Sequence, residues 1–132
     1  MKYLLDTNAC IRALNGSSPA LIERLRAETS QDIAVSTITR AELLYGARHS
    51  SRVTDNLRLL ARFFAPFASL PFDDACADHY GAIRADLAGR GRPIGPNDLL
   101  IAATARAHDL ALVTHDIREF TRVVGLKVED WE

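Results

Sequence analysis

Cysteine is scarce in this sequence, and long apolar runs are absent. The two cysteines, Cys10 and Cys76, lie far apart, without a CxxC pair or a cysteine–histidine pair at the spacing of a zinc site. We therefore expect two buried thiols in a reducing cytoplasm. No apolar run approaches the length that spans a bilayer, and the N-terminus lacks the features of a secretory signal peptide. These absences predict a cytoplasmic protein with no membrane partner.

An excess of positive charge is also absent. The chain has 16 lysines and arginines against 17 aspartates and glutamates, which argues against the overall basic character of many nucleic-acid binders. Lysine is limited to Lys2 and Lys127. The arginine clusters suit either solvated helix faces or a local basic surface beside an acidic pocket. These clusters comprise Arg48, Arg52, Arg58 and Arg62 in one segment, and Arg84, Arg90 and Arg92 in another.

The composition that remains is that of a folded domain. Hydrophobic residues make up 48% and charged residues 25% of the 132 positions, which argues against disorder. A chain of this length can bury a sufficient core without a disulfide or a structural metal. The sequence contains no internal repeat, low-complexity tract or domain boundary. We expect a single domain over residues 1–132.

Short apolar runs alternate with stretches of helical periodicity. We predict strands at 3–5, 33–35, 69–72, 110–114 and 126–130, and helices over 7–14, 20–28, 39–47, 52–65, 73–91, 97–109 and 115–123. Five strands joined by helical crossovers favour a three-layer α/β domain with a parallel sheet. Ligands of such sheets bind beyond the carboxyl ends of the strands, where the strand order reverses. The polar residues at those ends are therefore the candidate site.

Acidic residues occupy these positions. Asp6 directly follows the first strand, and Asp116 follows the fourth, with Glu119 one helical turn beyond it. Glu42 lies in the first turn of the helix after the second strand, and Asp98 opens the helix after a proline-rich linker. Because parallel strands end at one edge of a sheet, these carboxylates are expected to converge.

Each acid also has a purely structural explanation. Asp6 and Asp116 are suited to cap the helices that follow them, and Thr39 and Glu42 have the spacing of a capping box. Asp98 is favoured at a helix N-terminus by the macrodipole. Taken singly, these explanations account for each residue, and only the convergence of the acids favours a functional site.

Converging carboxylates need positive charge between them. Two carboxylates about 4 Å apart repel by roughly 4 kcal/mol at an effective dielectric constant of 20. The acids must therefore take up protons or hold a cation, and an all-oxygen site suits Mg²⁺ or Mn²⁺ better than zinc. Thr7, Asn8 and Thr114 are neutral neighbours that could orient the carboxylates or hold metal-bound water, although plain turn residues would look the same.

Five sequence blocks, in this order and spacing, resemble the VapC toxins, which are PIN-domain ribonucleases. The blocks are "LLDTN" at 4–8, "STITRAELLYGA" at 36–47, "GPNDLLIAATA" at 95–105, "LVTHDIREF" at 112–120 and "VEDW" at 128–131. The resemblance implies a five-stranded parallel sheet of order 3-2-1-4-5. It also implies a Mg²⁺- or Mn²⁺-dependent endoribonuclease that cleaves structured RNA such as tRNA. Its implied partners are a VapB-type antitoxin and a second copy of the chain, assembled as a homodimer and a toxin–antitoxin hetero-oligomer.

The resemblance also assigns roles to individual residues. It implies that Asp6, Glu42 and Asp98 form the acidic core of the metal site. Asp116 takes a place where many relatives have Asn or Asp, and Glu119 takes the place of a further acid in part of the family, so either could be the fourth ligand. Arginines at the rim of the site are expected to contact the RNA phosphates on either side of the cleavage position; the candidates are Arg84, Arg90 and Arg92. The helices between residues 42 and 66 are the candidate surfaces for the dimer and for the antitoxin.

Three other functions are compatible with an acid after the first strand. An aspartyl-phosphate phosphohydrolase would need a second acid two residues later and a placed lysine, but position 8 is Asn8 and lysines are nearly absent. A phosphoacceptor or metal-binding switch domain would need an acidic pair and a lysine after the last strands. An inactive PIN-like module that only binds RNA or protein would retain the fold without turnover.

Overall fold

Five short parallel strands form the sheet of the computed structural model, which describes all 132 residues. The strands are β1 (Tyr3–Leu5), β2 (Ile33–Ser36), β3 (Ala68–Leu70), β4 (Ala111–Val113) and β5 (Val128–Glu129). Their order is β3-β2-β1-β4-β5, and every neighbouring pair is parallel. The predicted α/β class, the parallel sheet and the strand order are confirmed.

Seven α-helices connect the strands. They are α1 (Thr7–Asn15), α2 (Pro19–Ala27), α3 (Thr37–Arg48), α4 (Val53–Phe64), α5 (Asp74–Gly89), α6 (Pro96–Ala107) and α7 (Ile117–Phe120). A single 3₁₀ turn, Ser30–Asp32, precedes β2. No helix is both long enough and apolar enough to cross a membrane.

Helices cover both faces of the sheet. Leu4 and Leu112 belong to a core cluster with residues of α5, α6 and α7, whereas Leu5 and Val113 belong to a second cluster with residues of α1, α2, α3 and α4. Successive strand residues point to opposite faces, so both sides of each central strand are buried and the strands consist of unbroken apolar runs. Cys10 and Cys76 are both free and buried, as the sequence predicts.

The start of α3 differs from the prediction. The helix begins at Thr37, and Ser36 caps it by accepting a hydrogen bond from Thr39 N at 3.1 Å. The predicted capping box of Thr39 and Glu42 is therefore wrong, because the serine that ends β2 already caps the helix. Glu42 consequently lies in the second turn of α3 and not in the first.

The ends of several other strands and helices differ by a few residues from those predicted from the sequence. Strand β3 ends at Leu70, before Pro71, which has no N–H to donate to a neighbouring strand. Strand β5 has only two residues, and α7 only four. Gly95 caps α6 and Pro96 takes the first helical position, where a missing N–H costs nothing.

Candidate active site

The end of β1 lies at the reversal of strand order, between β2 and β4. Leu5 pairs with Val35 on one side and with Val113 on the other. The backbone N–H of Asp6 continues this pairing by donating to the Val113 carbonyl at 3.0 Å. Asp6 therefore emerges beside the residues that follow β4.

Asp6 is a buried carboxylate with a fixed orientation. It is 3% exposed, and its Oδ1 accepts a hydrogen bond from Ala9 N at 2.7 Å, which caps α1. Burial raises the pKa of Asp6, and the Glu132 charge raises it further, whereas hydrogen bonds from Thr114 and Ala9 and the Arg12 charge lower it. The predicted cap is thus correct. A helix cap does not need to be buried, and the burial of Asp6 disfavours the ionised form of its carboxyl group.

Thr114 connects Asp6 with Asp116. This threonine is 1% exposed, and its hydroxyl accepts a hydrogen bond from Asp116 N at 2.9 Å. Its side chain is also hydrogen-bonded to the Asp6 carboxylate. The hydroxyl hydrogen therefore goes to Asp6, because the oxygen already accepts from Asp116. Thr114 fixes the spacing of the two acids.

Three hydroxyl groups in series support Glu42. Thr7 donates to Glu42 Oε1 at 2.8 Å, and its oxygen lies 3.0 Å from Thr39 Oγ1. Since Thr7 has a single hydroxyl hydrogen, Thr39 must be the donor in the second contact. Ser36 then donates to Thr39 Oγ1 at 3.3 Å. The chain of donors starts in the core, where Ser36 and Thr39 are both 0% exposed, and ends at the carboxylate.

Asp98 and Glu119 form a pair that is linked to Gly95. Glu119 Oε1 accepts a hydrogen bond from Gly95 N at 2.9 Å, and the Glu119 side chain is hydrogen-bonded to Asp98. A Cβ atom on residue 95 would lie 3.3 Å from Asp98 Oδ2, so the glycine gives the carboxylate room. Two carboxylates therefore lie at the start of α6: Asp98, which belongs to its first turn, and Glu119, which binds the N–H of its cap residue.

The pKa values of this pair are both raised. Burial is the main cause for Asp98, and the negative charges of Asp6, Glu42 and Asp116 add to it. Burial also raises the pKa of Glu119 to about 7, together with its hydrogen bond to Asp116 and the charges of Asp98 and Asp116. Near neutral pH, the pair is therefore able to keep one proton between its two carboxyl groups.

Three of the predicted acids line one cleft at the ends of the strands. They are Asp6, Glu42 and Asp98, and the cleft walls also include Thr7, Asn8, Ile11, Gly95, Pro96 and Asn97. Asp116 and Glu119 lie beside the cleft and do not line it. Asp116 is exposed and caps α7 by accepting a hydrogen bond from Glu119 N at 3.2 Å. Glu119 is in direct contact with Asp98, which lines the cleft. Asp116 is linked to Asp6 only through Thr114, which interacts with both acids.

The donor atoms of the cleft fit a hard divalent cation. The titratable ligands are all carboxylates, with neutral hydroxyl and amide groups beside them and no cysteine or histidine. Burial disfavours the ionised forms of Asp6 and Asp98, and the negative charges around Asp98 add to this effect, so a bound cation would stabilise both carboxylates. Oxygen donors of this kind suit Mg²⁺ or Mn²⁺ better than zinc.

The three predicted rim arginines differ in their contacts. Arg84 lines an apolar groove with Tyr80 and Pro96, and Pro96 also lines the acidic cleft. Arg90 is engaged by Asp86 at 2.6 Å and by the Arg122 carbonyl. Arg92 is exposed and makes no side-chain hydrogen bond. Arg84 donates to the Tyr80 hydroxyl at 2.8 Å, so Arg84 has a neutral partner and only Arg90 of the three is paired with an acid.

Sequence reasoning missed several residues near the site. Arg12 and Glu132 form an ion pair of 3.3 Å, and both charges act on Asp6. Ser36 and Thr39 were not candidates, because their part in orienting Glu42 depends on contacts between α1 and α3. Gly95 was visible as a glycine before α6, but its closeness to two carboxylates required the folded chain.

A family model described as PIN domain matches residues 3–126 of the chain. The chain is 41% identical over 131 residues to the tRNA(fMet)-specific endonuclease VapC of Shigella flexneri, and the alignment covers 99% of this chain and 98% of that protein. It is 37% identical over 131 residues to ribonuclease VapC2 of Haemophilus influenzae, with the same coverage.

Solved structures of related proteins have the same fold. The DNA-bound VapBC complex of Salmonella typhimurium contains a chain that matches with a TM-score of 0.95 and 39% identity, covering 100% of this chain and 99% of that one. VapBC2 of Rickettsia felis, bound to a DNA fragment from its promoter, matches with a TM-score of 0.93 and 36% identity over the whole of both chains.

Proposed function

The chain belongs to the PIN-domain family, within its VapC branch, and on this basis we propose that it is the toxin of a type II toxin–antitoxin system. Its activity is that of an endoribonuclease, which hydrolyses phosphodiester bonds in RNA, with structured RNA such as tRNA as the substrate class. The observation that carries this proposal is the cleft in which buried Asp6 meets Glu42 and Asp98 at the ends of the strands.

The proposed cofactor is Mg²⁺ or Mn²⁺, held by Asp6, Glu42 and Asp98, with Asp116 or Glu119 as a further contact. A bound divalent ion supplies an activated water and neutralises charge on the scissile phosphate. The carboxylates bind and orient, and they do not attack the substrate themselves.

The remaining residues of the site act on the carboxylates. Thr7 holds Glu42 in one rotamer, and Thr114 fixes Asp6 relative to Asp116. Because the pKa of Glu119 is raised to about 7, protonation of Glu119 near neutral pH would lower the repulsion beside Asp98. Side-chain partners of this type commonly change metal affinity or activity 10- to 100-fold when they are removed.

The approach of RNA to an acidic cleft requires positive charge around it. Arg84 is exposed on a groove that shares Pro96 with the cleft, and Arg92 is exposed on the loop that leads to Gly95. We assign these arginines to the phosphates that flank the cleavage site. Arg90 is the weakest candidate for a phosphate contact, because its charge is already neutralised by Asp86.

The proposed protein partners are a VapB-type antitoxin and a second copy of the chain. The related structures are VapBC complexes. Helices α3 and α4 expose large apolar side chains at Leu44, Tyr45 and Leu59, and these are the proposed contact surfaces of the homodimer and of the toxin–antitoxin hetero-oligomer. We place the protein in the cytoplasm, where Cys10 and Cys76 would stay reduced.

The phosphotransfer alternatives lack a lysine at the site. Lys2 pairs with Asp32 at 3.8 Å, and Lys127 pairs with Asp109 at 3.1 Å. Lys2 precedes β1, so it lies at the opposite end of that strand from Asp6. Neither lysine is placed to stabilise a phosphoryl group on Asp6, so these alternatives gain no support.

The test is cleavage of total bacterial RNA by the purified chain, freed of any co-purifying partner, with Mg²⁺ and with EDTA. Sequencing of the new 5′ and 3′ ends compares the parent with Asp6→Asn and with Asp55→Asn, an exposed acid on α4 that serves as the matched control. We expect discrete cuts by the parent and by Asp55→Asn that require the metal and disappear in Asp6→Asn. An identical pattern from the parent and Asp6→Asn would refute the assignment.

A further inference from the structure

A second cluster of ligand-type side chains lies on the α5–α6 pair. Asp73, Cys76 and His108 each contribute one ligand atom, and the carboxylate oxygen, the sulfur and the ring nitrogen all lie within 4.8 Å of one another. His108 follows the last turn of α6, whereas Asp98 lies in its first turn, and the ten residues between them correspond to about 15 Å along a helix axis. The cluster is therefore separate from the acidic cleft.

Two of the three residues are fixed by the start of α5. Asp73 is the N-cap of this helix, and its Oδ1 accepts a hydrogen bond from Cys76 N at 3.1 Å. This bond holds the carboxylate against the first turn, where the Cys76 thiol lies. Asp73 is exposed and Cys76 is fully buried, so the cluster runs from the surface into the core.

The ring of His108 carries a nitrogen whose hydrogen-bonding capacity is unused. Its ring is half-buried, but the Nε2 atom is buried and has no hydrogen-bond partner. The sulfur of Cys76 also makes a long contact of 3.8 Å with the Pro71 carbonyl. A buried polar atom without a partner destabilises the folded chain, so a ligand that binds the Nε2 atom of His108 would remove this cost.

From these contacts we propose that Asp73, Cys76 and His108 form a Zn²⁺ site. Thiolate, imidazole and carboxylate are all zinc ligands, and three protein ligands with water in the fourth position are a familiar tetrahedral arrangement. Ligand atoms around tetrahedral zinc are about 3.5 Å apart, so the cluster needs only a small contraction from its 4.8 Å limit. Binding releases the thiol proton to solvent, and the exposed Asp73 provides the route of entry.

The site would join two helices at their ends. It would connect the N-terminus of α5 with the C-terminus of α6, and these two helices supply half of the 14 buried residues in the core on that side of the sheet. Zinc that binds only the folded chain raises its stability in proportion to the logarithm of the free zinc concentration. The inference is independent of RNA cleavage, because it involves none of the acids at the strand ends.

The test uses Co²⁺ as a spectroscopic probe of the metal-stripped full-length chain. We expect a near-ultraviolet thiolate-to-cobalt charge-transfer band and intense visible bands of tetrahedral cobalt, both abolished when Zn²⁺ displaces the probe. The Cys76→Ser variant should lose the charge-transfer band, and His108→Gln should bind Co²⁺ at least tenfold more weakly. In the Asp6→Asn/Asp98→Asn background, which removes the acidic cleft, Zn²⁺ should raise the melting temperature, and the further change Cys76→Ser should abolish that rise.

Three control variants separate this cluster from other metal ligands. Cys10→Ser removes the other buried thiol, and His79→Gln removes a nearby histidine whose Nδ1 already accepts from Arg106 at 2.9 Å. The double variant Asp6→Asn/Asp98→Asn removes the acidic cleft, which has no sulfur ligand. All three should keep the charge-transfer band. A parent without the band, or a band that persists in Cys76→Ser, would overturn the proposal. If Cys76→Ser does not fold, unchanged Co²⁺ affinity in His108→Gln would overturn it.

Discussion

Thr7 donates its hydroxyl hydrogen to Glu42 Oε1 at 2.8 Å, and this bond joins α1 to α3 across the mouth of the cleft. Thr7 directly follows Asp6 in the chain. The turn that brings Asp6 to the end of β1 therefore also orients an acid from a different helix. The dipeptide Asp6-Thr7 thus supplies one cleft acid, Asp6, and orients a second, Glu42.

Replacement of Thr7 by valine should impair the site more than the fold. The Thr7→Val variant keeps the shape of the side chain but leaves Glu42 without its donor, so we expect RNA cleavage to slow about tenfold or more. The lost hydrogen bond should lower the free energy of unfolding by about 1 kcal/mol. Single-turnover cleavage and urea denaturation would measure the two effects. The matched control is Thr7→Ser, which keeps the hydroxyl and should cleave at nearly the parental rate; equal rates for Val and Ser would contradict the assigned role.

The stability of the metal-free chain should depend on pH through Glu119. The pKa of Glu119 is about 7 in the folded chain, against an ordinary value of 4.5, so the folded state holds the proton more tightly. The resulting stabilisation is fully present below pH 4.5 and is lost as the pH rises to about 7. In EDTA, the fall in melting temperature across this interval should be smaller for Glu119→Gln than for the parent.

An exposed glutamate provides the control for this pH effect. Glu23 lies on the solvent side of α2, so Glu23→Gln should show the same dependence on pH as the parent. If the melting curves of Glu119→Gln and Glu23→Gln shift with pH by the same amount, the shared proton between Asp98 and Glu119 is excluded as the source.

Removal of the charge on Asp6 should stabilise the metal-free chain. Burial raises the pKa of Asp6, which means that folding opposes its ionised form. Asparagine is neutral, nearly isosteric and an equally good helix cap, so Asp6→Asn should raise the melting temperature in EDTA. The same variant should lose the upward shift that Mn²⁺ produces in the parent. A lower melting temperature in EDTA would show that the carboxylate stabilises the fold.

Gly95 should be required for the position of the acids and not for the fold. Its φ of −56° is open to alanine, but the added Cβ would lie 3.3 Å from Asp98 Oδ2. We expect Gly95→Ala to weaken Mn²⁺ binding about tenfold, measured by calorimetry, because the carboxylate must move. Gly46→Ala on the exposed face of α3 meets no atom within 4 Å and should instead raise the free energy of unfolding, by up to about 1 kcal/mol. Equal Mn²⁺ affinity in the two variants would contradict this reading of Gly95.

The architecture was predictable because its signals are local. Unbroken apolar runs such as Tyr3–Leu5 mark strands that are covered on both faces, and the crossover helices leave few alternatives to a parallel sheet. The rule that the carboxyl ends of parallel strands share an edge accounts for Asp6 and for Glu42 on the helix after β2. It does not account for Asp98, which follows a linker between two helices. The strand order came from the resemblance and not from the pattern of residues.

The contacts between distant parts of the chain were not predictable. The capping-box spacing of Thr39 and Glu42 led to a local explanation, but Thr39 serves Glu42 through Thr7, which belongs to another helix. Cys76 and His108 do not have the spacing of a zinc motif, because the pairing of α5 with α6 brings them together. Spacing rules describe neighbours on one element and contain no information about side chains that meet between elements.

Ala102, Ala103 and Ala105 allow α6 to lie close to its neighbours, since all three are fully buried. A larger side chain at any of them would press the helix outward, and the first turn would carry Asp98 away from Asp6. The small size of these alanine side chains thus keeps Asp98 in position relative to Asp6. Over the history of such a lineage, one bulkier side chain in this interior is expected to weaken the enzyme while every residue of the cleft stays unchanged.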